Sequence, residues 1–270
     1  MTSSYRHYYA YLSKHVITPF YENRLNNLNQ LSLHGVLKRK NPYLFKAKNI
    51  ELAGDLVKSI VDAFLSSQEE TVFGNLLEGF AVYASKTLYG GFKSELKSVD
   101  LEFERDKVYY VVGIKSGTNW GNGDQVNKMR DNFKLSREVL RERGVTSEIV
   151  AVNGCIYGKD SVLLKKHKDP EKQYYKYAGQ KFWRFISGDD QLYREIIKPI
   201  DKEARQKDEA FKKAYAAMIN EMTTDFSNCF MSVDNQIDWV KLVDYVSKRE
   251  APKAEKKIIK RRIPRTPPED

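Results

Sequence analysis

A chain of 270 residues, 41% hydrophobic and 30% charged, can bury one good core and is expected to be globular, as one large domain or a domain with a helical appendage. Its formal net charge of +10 favours a polyanionic partner. Cys155 lies far from Cys229, and His7, His15, His34 and His167 are scattered, which argues against a disulfide framework, a cysteine or histidine metal site and a Ser-His-Asp triad.

No apolar run is long enough to span a bilayer, and MTSSYRHYYAYLSKHV lacks the apolar core of a signal peptide. A cytoplasmic protein without membrane contact is expected. From residue 4 to about 30, Tyr5, Tyr8, Tyr9, Leu12 and Val16 recur at helical spacing, and Pro19 opens or kinks a further turn. LKRKNPYLFKAK reads as a basic loop around Asn41-Pro42, with Lys38, Arg39 and Lys40 solvated or on phosphates. A helix capped by Asn49 runs to Leu65, with Leu52, Leu56, Val57, Ile60, Val61 and Phe64 on one stripe. SSQEE then introduces a second helix, which bears Glu78 and ends at Gly90-Gly91.

The stretch VDLEFERDKVYYVVGIKSGTNWGNGDQ, which begins at Val99, reads as a β-hairpin and a Gly/Asn loop that opens a helix. Val99, Leu101 and Phe103 alternate with Asp100, Glu102 and Glu104, so the first strand is expected to be half-buried. The nearly continuous apolar run from Val108 to Ile114 makes the second strand central, with Arg105-Asp106-Lys107 as the turn. Asp100 and Lys115 stand where a central sheet buries charge at high cost. A divalent cation and a phosphate would compensate both, which suits phosphodiester hydrolysis; a strand-end salt bridge is the plainer account of the same pair.

Beyond the loop, a helix is expected from Asp124 to about Arg143, with Val126, Met129, Phe133 and Val139 inward and a basic surface of Lys128, Arg130, Lys134, Arg137 and Arg141. Free N–H groups at its start suit a phosphate. SEIVAVNGCIY, from Ser147 to Tyr157, is a third strand, parallel to the second by a crossover through this helix. A charged loop follows, then a short strand at Tyr174 to Ala178 and a helix at Gln180 to Ile186, with Trp183 and Phe185 assigned to the core. Helices broken near Pro199 occupy Gln191 to about Met222, and another spans Asp238 to Lys248. The basic, proline-rich tail is expected to be disordered.

The motifs VDLEF…YYVVGIKSGTNWGN…Q and KYAGQKFWRFISG resemble the PD-(D/E)xK nucleases, and within them the type II restriction endonucleases that cut RGGNCCY-type sites, over roughly Phe73 to Gly188. The resemblance implies an α/β (α+β) restriction-endonuclease-like core with a central mixed sheet flanked by helices. Four regions are expected: an N-terminal helical region (1–70), the nuclease core (71–190), a C-terminal helical region (191–249) and the tail (250–270). It also implies Mg²⁺-dependent, sequence-specific cleavage of double-stranded DNA, with Asp100 as metal ligand, Lys115 acting on water and phosphate, and the Ile114 carbonyl as a further ligand. A homodimer follows because two antiparallel strands need two sites related by a two-fold axis.

One position departs from the pattern: the acid of (D/E)xK is Gly113. Glu78 is the first candidate to replace it, as catalytic acid and metal ligand, with Glu102 second and Asp124 third. Ser116, Asn119, Trp120, Asn122, Gln125, Lys128, Arg130 and Lys134 are candidate DNA contacts. Two other readings stay open, a repair or recombination nuclease of the same core and a DNA-binding protein that has lost activity.

Overall fold

The computed structural model describes residues 5–248, leaving aside the side chains of residues 202–206; the expected tail at 250–270 lies outside the described residues. The aromatic spacing at the start forms helix α1 (Arg6–Leu12), which passes through a π-helical turn at Ser13–Ile17 into α2 (Thr18–Asn29), with Pro19 in its first turn. Tyr8, Leu12 and Val16 are its buried stripe. The expected basic loop is instead two short helices, α3 (Leu33–Leu37) and α4 (Pro42–Ala47). Each has a cap that tolerates so short a helix: Ser32 accepts from Gly35 N–H, and Asn41 from Tyr43 N–H, with Pro42 pre-set for the first turn.

The two helices expected from Asn49 to Gly90 are one, α5 (Ala53–Tyr89), 37 residues long. Asn49 lies outside it with φ +54°, and Leu52 is at the N-cap position. SSQEE resembles a helix start because Ser followed by Glu is a capping pattern. Here the Ser67 hydroxyl donates to the Ala63 carbonyl inside the helix, no proline interrupts the run, and Gly74 and Gly79 are accommodated within it. Gly90, at φ +69°, ends the helix in the left-handed conformation.

The sheet has six strands in the order β1-β2-β3-β4-β6-β5. They are β1 (Phe92–Lys93), β2 (Leu101–Arg105), β3 (Val108–Lys115), β4 (Glu148–Cys155), β5 (Leu164–Lys165) and β6 (Tyr174–Ala178). The hairpin turn is Asp106-Lys107, both at positive φ as a two-residue type I′ turn requires, with Arg105 opposite Val108. Strands β3, β4 and β6 are parallel. The first of these crossovers carries α6 (Gly123–Glu142), and α7 (Gln180–Ser187) follows β6. Strand β2 is more buried than alternation implies: Glu102 is 3% exposed and accepts a hydrogen bond from the Tyr109 hydroxyl.

Arg137, expected on the basic surface of α6, is also buried. Its guanidinium donates to the carbonyls of Ile149, Glu171 and Gln173, where β4 and the segment leading into β6 are not paired with each other. Burial pushes its pKa below the usual arginine value. Helix α8 (Leu192–Glu195) precedes α9 (Ile197–Phe230), so the expected break falls at Ile196 and Pro199 occupies the first turn of α9. Asp238 caps α10 (Trp239–Ser247).

Helix α5 crosses the expected boundary at residue 70 and serves two cores. Its first half packs with α3, α4, α9 and α10 through Leu56, Val57, Ile60 and Phe64, and its second half joins the sheet, α1 and α7 through Leu77, Phe80 and Ala84. On the other sheet face, α6 covers Val111 and Ala151 with Met129, Phe133 and Leu140. No helix among the described residues is long and apolar enough to cross a membrane.

Candidate active site

Strand β3 delivers its last residue, Lys115, to the end of the sheet where the parallel strands finish. Asp100 precedes the first paired residue of β2, and its N–H donates to the Val112 carbonyl at 2.8 Å. The Asp100 carboxylate is then fixed by the Ile114 N–H, which donates to Oδ2 at 2.6 Å. Lys115 Nζ lies 3.9 Å from the same oxygen and donates to the Ile114 carbonyl at 2.8 Å. Both side chains reach solvent, at 22% exposure for Asp100 and 34% for Lys115, so a substrate can meet them.

Helix α5 brings Glu78 to this pair. Burial, and then the charge of Asp100, push its carboxyl pKa upward, and Lys93 and Lys115 offset part of that rise. Two carboxylates that repel one another beside a main-chain carbonyl form a hard-oxygen donor set that fits Mg²⁺ or a similar divalent cation. Among the described residues no three His, Cys, Asp or Glu side chains converge as a metal cluster. Asp100, Glu78 and the Ile114 carbonyl are the oxygens that could hold a cation here, with water completing its shell.

The other candidate acids stand apart. Glu102 lines a cavity of about 250 Å³ with Phe92, Tyr109, Leu140 and Arg143, and Asp124 is exposed in the first turn of α6. At position 113 a side chain has no room: a Cβ on Gly113 would stand 2.9 Å from the Ser98 carbonyl oxygen and 3.4 Å from the Phe133 ring.

The loop after Lys115 is pinned along its length. Ile156 N–H and Tyr157 N–H donate to the carbonyls of Lys115 and Ser116, and Lys176 Nζ donates to that of Thr118. Lys176 also pairs with Asp160, as does Lys165. Burial alone would raise the Asp160 carboxyl, but hydrogen bonds from Lys165, the Val162 N–H and Lys176 outweigh it and hold the group below the usual carboxylate range. Trp120 donates its indole N–H to Asn153. Asn122 and Gln125 form a reciprocal capping box at the start of α6.

Among the basic candidates, Lys128 is exposed, Arg130 donates to the Lys172 carbonyl, and Lys134 pairs with Asp169. Asn119 is exposed and Ser116 is packed against Gly74.

Three neighbours escaped sequence reasoning. Lys93 lies 3.9 Å from Glu78, on a strand of two residues that leaves no periodicity to read. Tyr157, 63% exposed, packs its ring on Gly117. Asn153 carried a signal, being an amide within an otherwise apolar buried strand.

No curated protein matches the sequence. The family model for the type II restriction endonuclease EcoO109I matches residues 9–208. That span reaches from α1 into α9 and so takes in the whole sheet, Glu78, Asp100 and Lys115, extending the motif resemblance in both directions. With most of the chain inside the match and its mixed sheet flanked by helices, the protein belongs to the type II restriction endonuclease EcoO109I family and is a site-specific deoxyribonuclease.

Proposed function

We propose that the protein is a homodimer that cuts double-stranded DNA at a short palindromic site of the RGGNCCY type, with Mg²⁺ held by Asp100, Glu78 and the Ile114 carbonyl. The observation that carries this reading is the meeting of Asp100, Lys115 and Glu78 at the end of β3. When bound, the cation supplies the positive charge that polarises the phosphoryl oxygen and lowers the pKa of water. Asp100 is oriented by the Ile114 N–H, so its carboxylate is aimed before DNA arrives. Lys115 orients the attacking water and offsets negative charge that develops on the phosphate. Glu78 supplies the second carboxylate that position 113 lacks. Ser116, Asn119, Asn122, Gln125, Lys128, Arg130 and Lys134 lie on the loop and helix that follow β3, from which they would meet the backbone near the scissile bond, whereas Trp120 turns its indole N–H inward to Asn153.

Digestion of plasmid DNA by purified protein, with Mg²⁺ or with EDTA, tests the reading. Discrete Mg²⁺-dependent fragments sharing one end sequence are expected, and both Asp100→Ala and Lys115→Ala should abolish them. Undiminished cutting by either variant, or cutting in EDTA, would refute the assignment.

A further inference from the structure

Asn153 is fully buried in the central strand β4 and sits opposite Gly113 of β3. Packing alone would favour an apolar residue there, since a buried amide is costly unless its groups are bonded. Its two ends are both used. Nδ2 donates to the Gly113 carbonyl at 3.2 Å, and Oδ1 accepts from Trp120 Nε1 at 3.0 Å. The orientation of the amide is fixed by its partners, because a carbonyl can only accept and an indole N–H can only donate. One side chain thus ties together the two ends of the segment from Gly113 to Trp120. Ile114 and Lys115 lie within that segment, and the Trp120 ring it holds lies with its centroid 5.6 Å from Lys115 Nζ, within cation–π range.

We infer that Asn153 and Trp120 are positioning residues for Lys115: the buried amide anchors the indole, and the indole face supports the ammonium beside Asp100. The inference rests on the proposed role of Lys115 in cleavage. It gives the Trp120 ring a task inside the protein, and its N–H is already committed there. An aromatic face suits this task because it attracts the ammonium without taking a conventional hydrogen bond from it: one N–H goes to the Ile114 carbonyl, and the others are left for water and phosphate.

The test uses the full chain as Asn153→Ala, Trp120→Phe and the double variant. Trp120→Phe keeps a ring and most of the packing while removing the N–H, and cooperative melting of each protein shows that it folds. Single-turnover cleavage of plasmid DNA with Mg²⁺ is measured alongside affinity for a fluorescein-labelled duplex of the sequence that wild type cuts, in EDTA. Each single variant should slow cleavage by about tenfold or more, because small misplacements of a reacting group are that costly. Affinity should stay within about twofold, and the double variant should be no slower than the slower single one, as expected for residues acting as one unit.

A separate readout needs no cleavage. The emission of Trp120, taken as the difference between wild type and Trp120→Phe, should shift in Asn153→Ala and in Lys115→Met. Additive rate losses would overturn the inference by making the residues independent. A fall in affinity in place of rate would overturn it by making Trp120 a DNA contact. Should wild type cut nothing, the proposed function fails, and unchanged Trp120 emission in both variants would then overturn the positioning role by itself.

Discussion

A carboxylate cannot simply be returned to position 113, where the Ser98 carbonyl oxygen and the Phe133 ring already occupy the space a side chain needs. Gly113→Asp is therefore expected to lower Tm, at a cost of about 1–3 kcal/mol for overpacking, and to give no gain in cleavage. Melting and plasmid assays on that variant check both. Glu78 carries the converse expectation. Burial and the charge of Asp100 raise its pKa in the folded state, so folding favours the neutral carboxyl. The stability this confers is complete below the unfolded pKa and is lost as pH rises through the raised folded value. In EDTA, Glu78→Gln should melt higher than wild type at about pH 8 and converge with it toward about pH 4, where both side chains are neutral. Its cleavage with Mg²⁺ should be lost throughout. At this scale Asp100 and Lys115 were legible because charge is conspicuous beside apolar strand residues. Asn153 is as unusual in its strand, yet its meaning depends on Gly113 and Trp120, which only the parallel pairing of β3 with β4 brings to it.

Elements were legible where a local pattern matched a local structure. The hairpin, α6, β4, β6 and α7 follow from alternation, apolar runs and turn residues. The single helix α5 did not, because SSQEE satisfies its hydroxyls equally well at a helix start and in a helix interior, and tertiary packing on both flanks decides between them. The strands β1 and β5, two residues each, are too short to carry any period. For α6 the start is well specified, since Asn122 and Gln125 satisfy each other's backbone N–H groups. Asn122→Ala should cost about 1 kcal/mol of stability, read as a lower denaturation midpoint. If Asn122 also meets DNA, affinity will fall by more than this stability loss explains, and a binding titration well below the midpoint separates the two.

For the whole molecule, the succession of helix, hairpin, helix and strand made the sheet and its flanking helices legible, and the structure has them. What the chain order hides is that residues before 70 and after 210 close a second core around the same helix. With a net charge of +10 and a polyanionic substrate, affinity for the cut duplex should fall by about 10³-fold or more between about 50 and 200 mM salt if six or more phosphates are contacted. A flat response would argue against an extended phosphate interface. Sedimentation should give twice the 31.4 kDa chain mass; a monomer at all concentrations, alone and on the duplex, would contradict the two-fold arrangement.

Helix α5 is also a lever. At 37 residues it is about 55 Å long, and Glu78 lies about 38 Å from its first turn. A tilt of about 2° around that turn sweeps the carboxylate through about 1 Å, a displacement that can lower a rate about a hundredfold. The fit of Leu56, Ile60 and Phe64 among α3, α4, α9 and α10, together with that of Leu77 and Phe80 beside the sheet, therefore bears on the aim of Glu78, the proposed catalytic acid. Substitutions in that remote core should surface first as weakened cleavage, before any loss of folded protein.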